Sequence, residues 1–277
     1  MSNPDSVFLR AAVRACRAAG RIQRAAFGAA HAIEHKGEID LVTRIDKRSE
    51  AAILKVISGA FPSHGILAEE GGATAGDGEH LWVIDPLDGT TNYSRGFPVF
   101  CSSVALAREG RVVVGAIYQP LLDELFTAVR GRGAFLNGVR LRVSPQSRLD
   151  QAFLATGFPY DIRRSRRNNI ANFSRFATRC LAVRRAGAAA LDLAYIAAGR
   201  FDGFWELKLR PWDIAAASLM IEEAGGRITG TGGRPWRLGV RDVVASNGLV
   251  HGEMLGVLHG PRGAARKPRV GRPGGTG

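Results

Sequence analysis

The stretch Trp82-Val83-Ile84-Asp85-Pro86-Leu87-Asp88-Gly89-Thr90-Thr91-Asn92 constrains this chain more than any other. Its apolar run reads as a buried strand ending in Asp85. Pro86 fixes a turn, and Asp88 follows three residues after Asp85. Gly89 permits a tight backbone, and Thr90-Thr91 can open a helix. Two carboxylates are thereby brought to a strand's end beside backbone N–H groups that suit a phosphate. Mg²⁺ takes oxygen ligands, often one or two carboxylates plus substrate phosphate. An Asp-x-x-Asp pair is equally an ordinary turn or cap pair, so the pair alone leaves both readings open.

Other acids occupy comparable places. Glu69-Glu70 follows the apolar run Ile66-Leu67-Ala68. Asp40 and Asp46 flank Leu41-Val42-Thr43, and Asp46 falls in the first turn of an expected helix. Asp213, in Pro211-Trp212-Asp213, stands at another helix start. Each taken alone fits a surface acid or a helix N-terminal acid favoured by the macrodipole. Together they make a set of oxygen ligands aimed from strand ends and helix starts.

The 277 residues suffice for a full core without disulfides or a structural metal. Cys16, Cys101 and Cys180 are far apart and form no CxxC, which points to a reducing, cytoplasmic setting. No apolar run reaches the length of a membrane span, and Arg residues interrupt the N-terminal segment, so neither a membrane partner nor a signal peptide is expected.

Hydrophobic spacing predicts helices over 4–30 and about 44–60, and strands at 66–68, 81–84, 101–107, 112–118, 124–129 and 134–136. A loop is expected at 71–78. Asn137-Gly138 signals a type I′ hairpin into a strand at 139–143. Beyond about 145 the pattern alternates: strand 153–156, helix 165–178, helix 188–198, strand 201–206, helix 211–224, strand 243–246. The expected organisation is an N-terminal α+β half (1–145) carrying most of the acids, a C-terminal α/β half (146–260), and a disordered basic tail (261–277).

The run Asp85-Pro86-Leu87-Asp88-Gly89-Thr90-Thr91, the segment WDIAAASLMIEEAGG (212–226), ILAEEGG (66–72) and DLVTRID (40–46) resemble, in order and spacing, the motifs of the inositol monophosphatase family. This resemblance covers about residues 5–255. It implies a layered αβαβα sandwich and Mg²⁺-dependent hydrolysis of a phosphate monoester by activated water, with two or three ions per site. By position, it implies that Glu69, Asp85 and the Leu87 carbonyl hold one metal, with Glu69 also serving a weaker third ion. Asp85, Asp88 and Asp213 would hold the second. Thr90 and Asp46 match the pair that helps activate the water, while Gly89 and Thr90 match the backbone donors to phosphate. Asp88, Gly187, Ala188, Ala189, Glu206 and Arg210 match substrate contacts, and Lys36, Asp40 and Glu70 match supporting groups. The segment from Lys36 to Asp40 is one residue shorter than in animal enzymes.

Inositol-1-phosphate ranks first among the substrates this resemblance implies. Fructose-1,6-bisphosphate is the main competitor, ahead of histidinol phosphate and 3′-phosphoadenosine 5′-phosphate. A homodimer and inhibition by lithium are implied as well. The formal charge of +13 and the cluster Arg163, Arg164, Arg166 and Arg167 add a second class of partner, RNA or the transcription machinery. The same residues also read as a plain solvated basic surface.

Overall fold

The computed structural model describes residues 4–28, 33–35 and 41–260. Lys36, Asp40 and the basic tail at 261–277 lie outside the described residues.

The first helix, α1 (Pro4–Ala26), buries Ala12, Ala15, Cys16 and Ala19 along one stripe. It ends sooner than the sequence predicts because Gly28 adopts a left-handed φ of 83°. A short hairpin, β1 (Ile33–His35) and β2 (Leu41–Thr43), was not foreseen in the sequence, and it leads into α2 (Arg44–Ala60). Next come β3 (Gly65–Ala68), β4 (Gly72–Thr74), β5 (His80–Asp88), a short helix α3 (Thr90–Ser94), β6 (Cys101–Arg108), β7 (Arg111–Gln119), β8 (Glu124–Val129), β9 (Gly133–Leu136) and β10 (Val139–Arg140). These make an eight-stranded sheet of order β10-β9-β8-β7-β6-β5-β3-β4, antiparallel except for the β3–β5 pair.

The expected loop at 71–78 contains β4, an exposed strand that doubles back on β3. The Asn137-Gly138 turn has positive φ at both residues, 49° and 83°, as a type I′ hairpin requires. The strand expected over 139–143 stops at Arg140, because the Val143 N–H turns away to the Ala224 carbonyl (3.2 Å).

The second half holds β11 (Phe153–Thr156), α4 (Ile170–Ala177), β12 (Ala182–Arg184), α5 (Ala189–Ala197), β13 (Gly203–Glu206), α6 (Pro211–Glu223), β14 (Arg227–Gly230), β15 (Val243–Ser246) and α7 (His251–His259). Its five-stranded sheet has the order β12-β11-β13-β15-β14, parallel across β12, β11 and β13. The helix expected from 165 starts only at Ile170, since the arginine-rich stretch before it forms turns and Asn169 enters at φ 70°. The strand expected from 201 starts at Gly203, because the Phe201 N–H bonds back to the Tyr195 carbonyl (3.3 Å).

Strand periodicity stacks these pieces into layers. Trp82, Ile84, Val104 and Leu106 face α1 and α2, while Val83 and Ala105 face α5 and α6. On the second sheet, Ala155, Phe204 and Ala245 point inward to those same helices. Leu154, Trp205 and Val244 point outward to Phe176 of α4 and Met254 of α7. The order is helix, sheet, helix, sheet, helix, the αβαβα sandwich that the motifs imply.

Gly115 on β7 sets how deep α6 sits. A Cβ there would lie 2.8 Å from the Ala216 carbonyl oxygen and 3.1 Å from the Ala216 Cα, both backbone atoms. Overpacking of this kind costs about 1–3 kcal/mol. Gly115→Ala is expected to lower the urea midpoint without changing the slope of the transition, as measured by equilibrium unfolding. An unchanged midpoint would show that α6 can move away freely.

Candidate metal and phosphate site

The irregular end of β5 builds the centre of the site. Asp85 pairs with Ser103 and Asp88 with Cys101, so the chain carries one surplus residue between them, a bulge that sets both aspartates on one face. The strand does not end at Asp85, as the sequence suggests, but resumes at Asp88. Pro86 has no N–H to give to the ladder, which explains the place of the bulge. The freed groups find other partners. The Leu87 N–H donates to Asp85 Oδ1 (3.0 Å), and Gln23 Nε2 of α1 donates to the Pro86 carbonyl (2.7 Å). The Tyr93 hydroxyl donates to the Gln23 carbonyl (2.8 Å), which closes the brace.

Leu87 buries its side chain with Ile45, Tyr93 and Phe100 and leaves its carbonyl to the Thr90 hydroxyl (3.0 Å). The same hydroxyl lies 3.1 Å from Asp46 Oδ2. Gly89, at φ 92°, admits the turn into α3, where a Cβ would meet the Val99 carbonyl oxygen at 2.8 Å.

Acids from other elements converge here. Glu69 follows β3, and its N–H continues the parallel ladder to the Ile84 carbonyl (3.2 Å). Asp88 reaches across to the start of α5, where its Oδ2 accepts the Ala190 N–H (2.7 Å). Asp213 sits in the first turn of α6 and accepts the Arg210 N–H (2.6 Å). Glu206 ends β13 and packs on Gly157, where any Cβ would overlap its carboxylate. Asn92 Nδ2 ties the turn before α5 by donating to the Ala186 carbonyl (2.8 Å), and Gly187 completes that turn at φ 88°.

Glu69, Asp88, Gly89, Thr90, Gly187, Ala188, Ala189, Glu206, Arg210 and Asp213 all line one cavity of about 470 Å³. Asp85 and Leu87 are buried beside it. Asp46 connects to it through Thr90. Glu70 is the exception among the described candidates: it does not line the cavity, and its N–H binds the Glu50 carboxylate (2.9 Å). The sequence reading missed Asp192, Lys208 and Arg241, which also line it, and gave Arg185 no place in it. Asp192 carried one signal, an acid in the first turn of an otherwise apolar helix.

Burial and mutual repulsion raise these carboxyls. Burial pushes Asp85 well above the usual carboxylate range, with Glu69, Asp88, Asp213 and Asp46 adding to it. Asp88 is pushed up to about 6 by burial, against the N–H groups of Ala190, Leu191 and Ala189. Asp213 is pushed up to about 7 by burial and then by Asp88, with Arg210 and Arg241 opposing. A set of carboxylates plus a backbone carbonyl, held in one another's field, fits a hard divalent cation such as Mg²⁺.

His64, Asp77 and His80 form another cluster, but it does not fit an ion. Trp82 Nε1 donates to His64 Nδ1 (3.1 Å), leaving the proton of the neutral ring on Nε2. One ligand atom from each of the three lies within 4.8 Å of the others, but the two imidazoles are stacked at 4.3 Å and 8°, so their in-plane lone pairs run side by side and do not meet.

The raised acids set a pH dependence. Their folded values exceed the ordinary unfolded value near 4, so folding takes up protons between about pH 4 and 7. These acids should therefore make chelator-treated protein lose stability as pH rises through that window, while His251, pushed down to about 4 by burial, opposes part of the loss. Thermal melting should show that slope, and millimolar Mg²⁺ should flatten it. A chelated melting point that rises with pH across the window would contradict this.

The model of the inositol monophosphatase family matches residues 5–261. The Nus factor SuhB of Escherichia coli (strain K12) is 46% identical over 251 residues, covering 89% of this chain and 94% of the relative. The inositol-1-monophosphatase of Mesorhizobium japonicum is 42% identical over 262 residues, covering 94% and 98%. The solved structure of an inositol monophosphatase from Anabaena superposes with a TM-score of 0.84 at 41% identity, covering 93% of this chain and 97% of that one. With its motifs in order, its layers in place and relatives that match along nearly their whole length, the chain belongs to the inositol monophosphatase family.

Proposed function

We propose that this chain hydrolyses a phosphate monoester, with inositol-1-phosphate as the leading substrate. The observation that carries the reading is the convergence of Glu69, Asp88 and Asp213 on one cavity, with the buried Asp85 in their field. Glu69, Asp85 and the Leu87 carbonyl would hold one Mg²⁺, and Asp85, Asp88 and Asp213 a second, with a weaker third ion at Glu69. Bound there, Mg²⁺ supplies a Lewis acid for the phosphoryl oxygens and lowers the pKa of water.

The protein's own groups then divide the work. The Thr90 hydroxyl, between Asp46 Oδ2 and the Leu87 carbonyl, accepts a hydrogen bond from the attacking water and directs its own proton to Asp46. The Gly89–Thr90 backbone faces the phosphate, and Glu206 faces the hydroxyls of the alcohol. Arg210 adds a cation at the wall. As water bonds to phosphorus, the bond from phosphorus to the ester oxygen breaks; the proton that the water gives up and the one that the alcohol gains balance through solvent, so no covalent phosphoenzyme is needed. A homodimer and lithium inhibition belong to the same reading. The relative named inositol-1-monophosphatase supports the substrate.

Phosphate release with Mg²⁺ from inositol-1-phosphate, fructose-1,6-bisphosphate, histidinol phosphate and 3′-phosphoadenosine 5′-phosphate tests this. Inositol-1-phosphate should turn over best, and Asp88→Asn should abolish release. Thr90→Ala should lower kcat roughly 100-fold, in the range of lost acid–base assistance. Preference for another ester would replace the substrate and keep the site.

A second reading concerns partners. Several relatives are named Nus factor SuhB, and Arg163, Arg164, Arg166 and Arg167 are exposed here. We propose that this basic face meets RNA or the transcription machinery in addition to catalysis. Filter binding should then show RNA retention at about 50 mM salt that falls steeply by about 200 mM and survives Asp88→Asn. No retention at the lower salt would dismiss RNA as the partner.

A further inference from the structure

The sequence motifs all lie after α1, yet α1 reaches the site. Along its buried stripe it carries Ala12, Ala15, Cys16 and Ala19, and near its end it also encloses an amide, Gln23. A buried amide costs free energy unless it is hydrogen-bonded. Gln23 Nε2 donates to the Pro86 carbonyl at 2.7 Å.

That carbonyl belongs to a peptide unit that also holds Asp85. The Pro86–Leu87 peptide lies in the bulge of β5, outside the regular ladder, and both residues are buried. Its carbonyl end accepts from Gln23, and its N–H end donates to Asp85 Oδ1 (3.0 Å). A peptide unit is planar and stiff, so a bond that fixes one end sets the direction of the other. A carbonyl that accepts a hydrogen bond also polarises its own N–H into a better donor. Gln23 is anchored in turn. The Tyr93 hydroxyl donates to its backbone carbonyl (2.8 Å), and the Tyr93 ring packs against Phe27 and Phe100. Tyr93, Gln23, the Pro86–Leu87 peptide and Asp85 thus form one chain of bonds from α3 through α1 to the carboxylate.

We propose that Gln23 is a positioning residue for the metal site: acting through the Pro86–Leu87 peptide, it fixes the Asp85 carboxylate and so sets the affinity for a divalent cation. This rests on the reading of Asp85 as a Mg²⁺ ligand and adds to it a residue that no motif contains. Groups that hold a ligand in place from behind contribute about 10–100-fold to metal affinity.

Mg²⁺ is titrated by calorimetry into chelator-treated, full-length protein without substrate, below the melting point of every variant. Gln23→Met keeps the length of the side chain and removes the donor, and its dissociation constant for Mg²⁺ should rise about tenfold or more. Ile57→Val trims the core beneath α1 and α2 and takes no part in these bonds. It should melt lower and still bind Mg²⁺ as wild type does, which separates positioning from a general loss of stability. Tyr93→Phe releases the anchor of Gln23. It should weaken Mg²⁺ binding alone and add little on top of Gln23→Met, because both act through one chain of bonds. Unchanged affinity in Gln23→Met, an equal loss in Ile57→Val, or a fully additive loss in the double variant would each overturn the proposal. If Gln23→Met does not fold, Tyr93→Phe decides, and wild-type affinity there overturns it. Phosphate release is measured alongside. A wild type that binds Mg²⁺ more tightly than Gln23→Met while releasing phosphate from no ester upholds the proposal and sinks only the phosphatase reading. A wild type that takes up no Mg²⁺ at millimolar concentration overturns the proposal together with the cation site.

Discussion

The repulsion among Asp85, Asp88, Asp213 and Glu69 is the constraint around which the molecule is arranged. Like charges in a low-dielectric cleft oppose folding unless something offsets them. The fold offsets part of this with its own dipoles. Asp88 sits at the start of α5, and Asp213 holds the N–H at the start of α6. Both helices are sandwiched between the two sheets, so their N-terminal N–H groups act where water is scarce. The remaining charge is what a divalent cation would take up.

This accounts for the apolar character of the middle layer. Both helices are buried along most of their length, with Leu191, Leu193 and Ile196 on one and Ile214, Leu219 and Ile221 on the other. A helix buried on all sides has little rotational freedom, which fixes where its first turn points. Precision at the carboxylates is thus inherited from packing well away from them.

Much of the site is legible in the sequence because its groups lie at the ends of elements. A strand end, a proline, a glycine and a helix start are local signals, and Asp85, Asp88, Thr90 and Asp213 each sit beside one. Asp192 is not legible that way, since only the tertiary fold brings it into one cavity with Glu69, Asp88 and Glu206. Elements were lost for similar reasons. The strands β12 and β14 are short, and α7 contains Gly252 and Gly256, which blur its period. What holds α7 is tertiary: Met254 is buried in the outer core, and His251 is satisfied by Thr229 and Ser246, both at 2.9 Å.

The surplus residue in β5 makes the site depend on counting. Side chains along a strand alternate between faces, so residues three apart point in opposite directions. Asp85 and Asp88 escape that rule only because one residue at Pro86-Leu87 drops out of the ladder. Parity, more than composition, therefore places the second aspartate. The same residues laid in a regular ladder, with none dropped out, would turn Asp88 toward α1 and α2, among Trp82, Ile84 and Val104, where a carboxylate has no counterpart. The side chain at position 87 only packs, with Ile45, Tyr93 and Phe100, so the placing of Asp88 depends on the bulge itself and not on which apolar residue fills it.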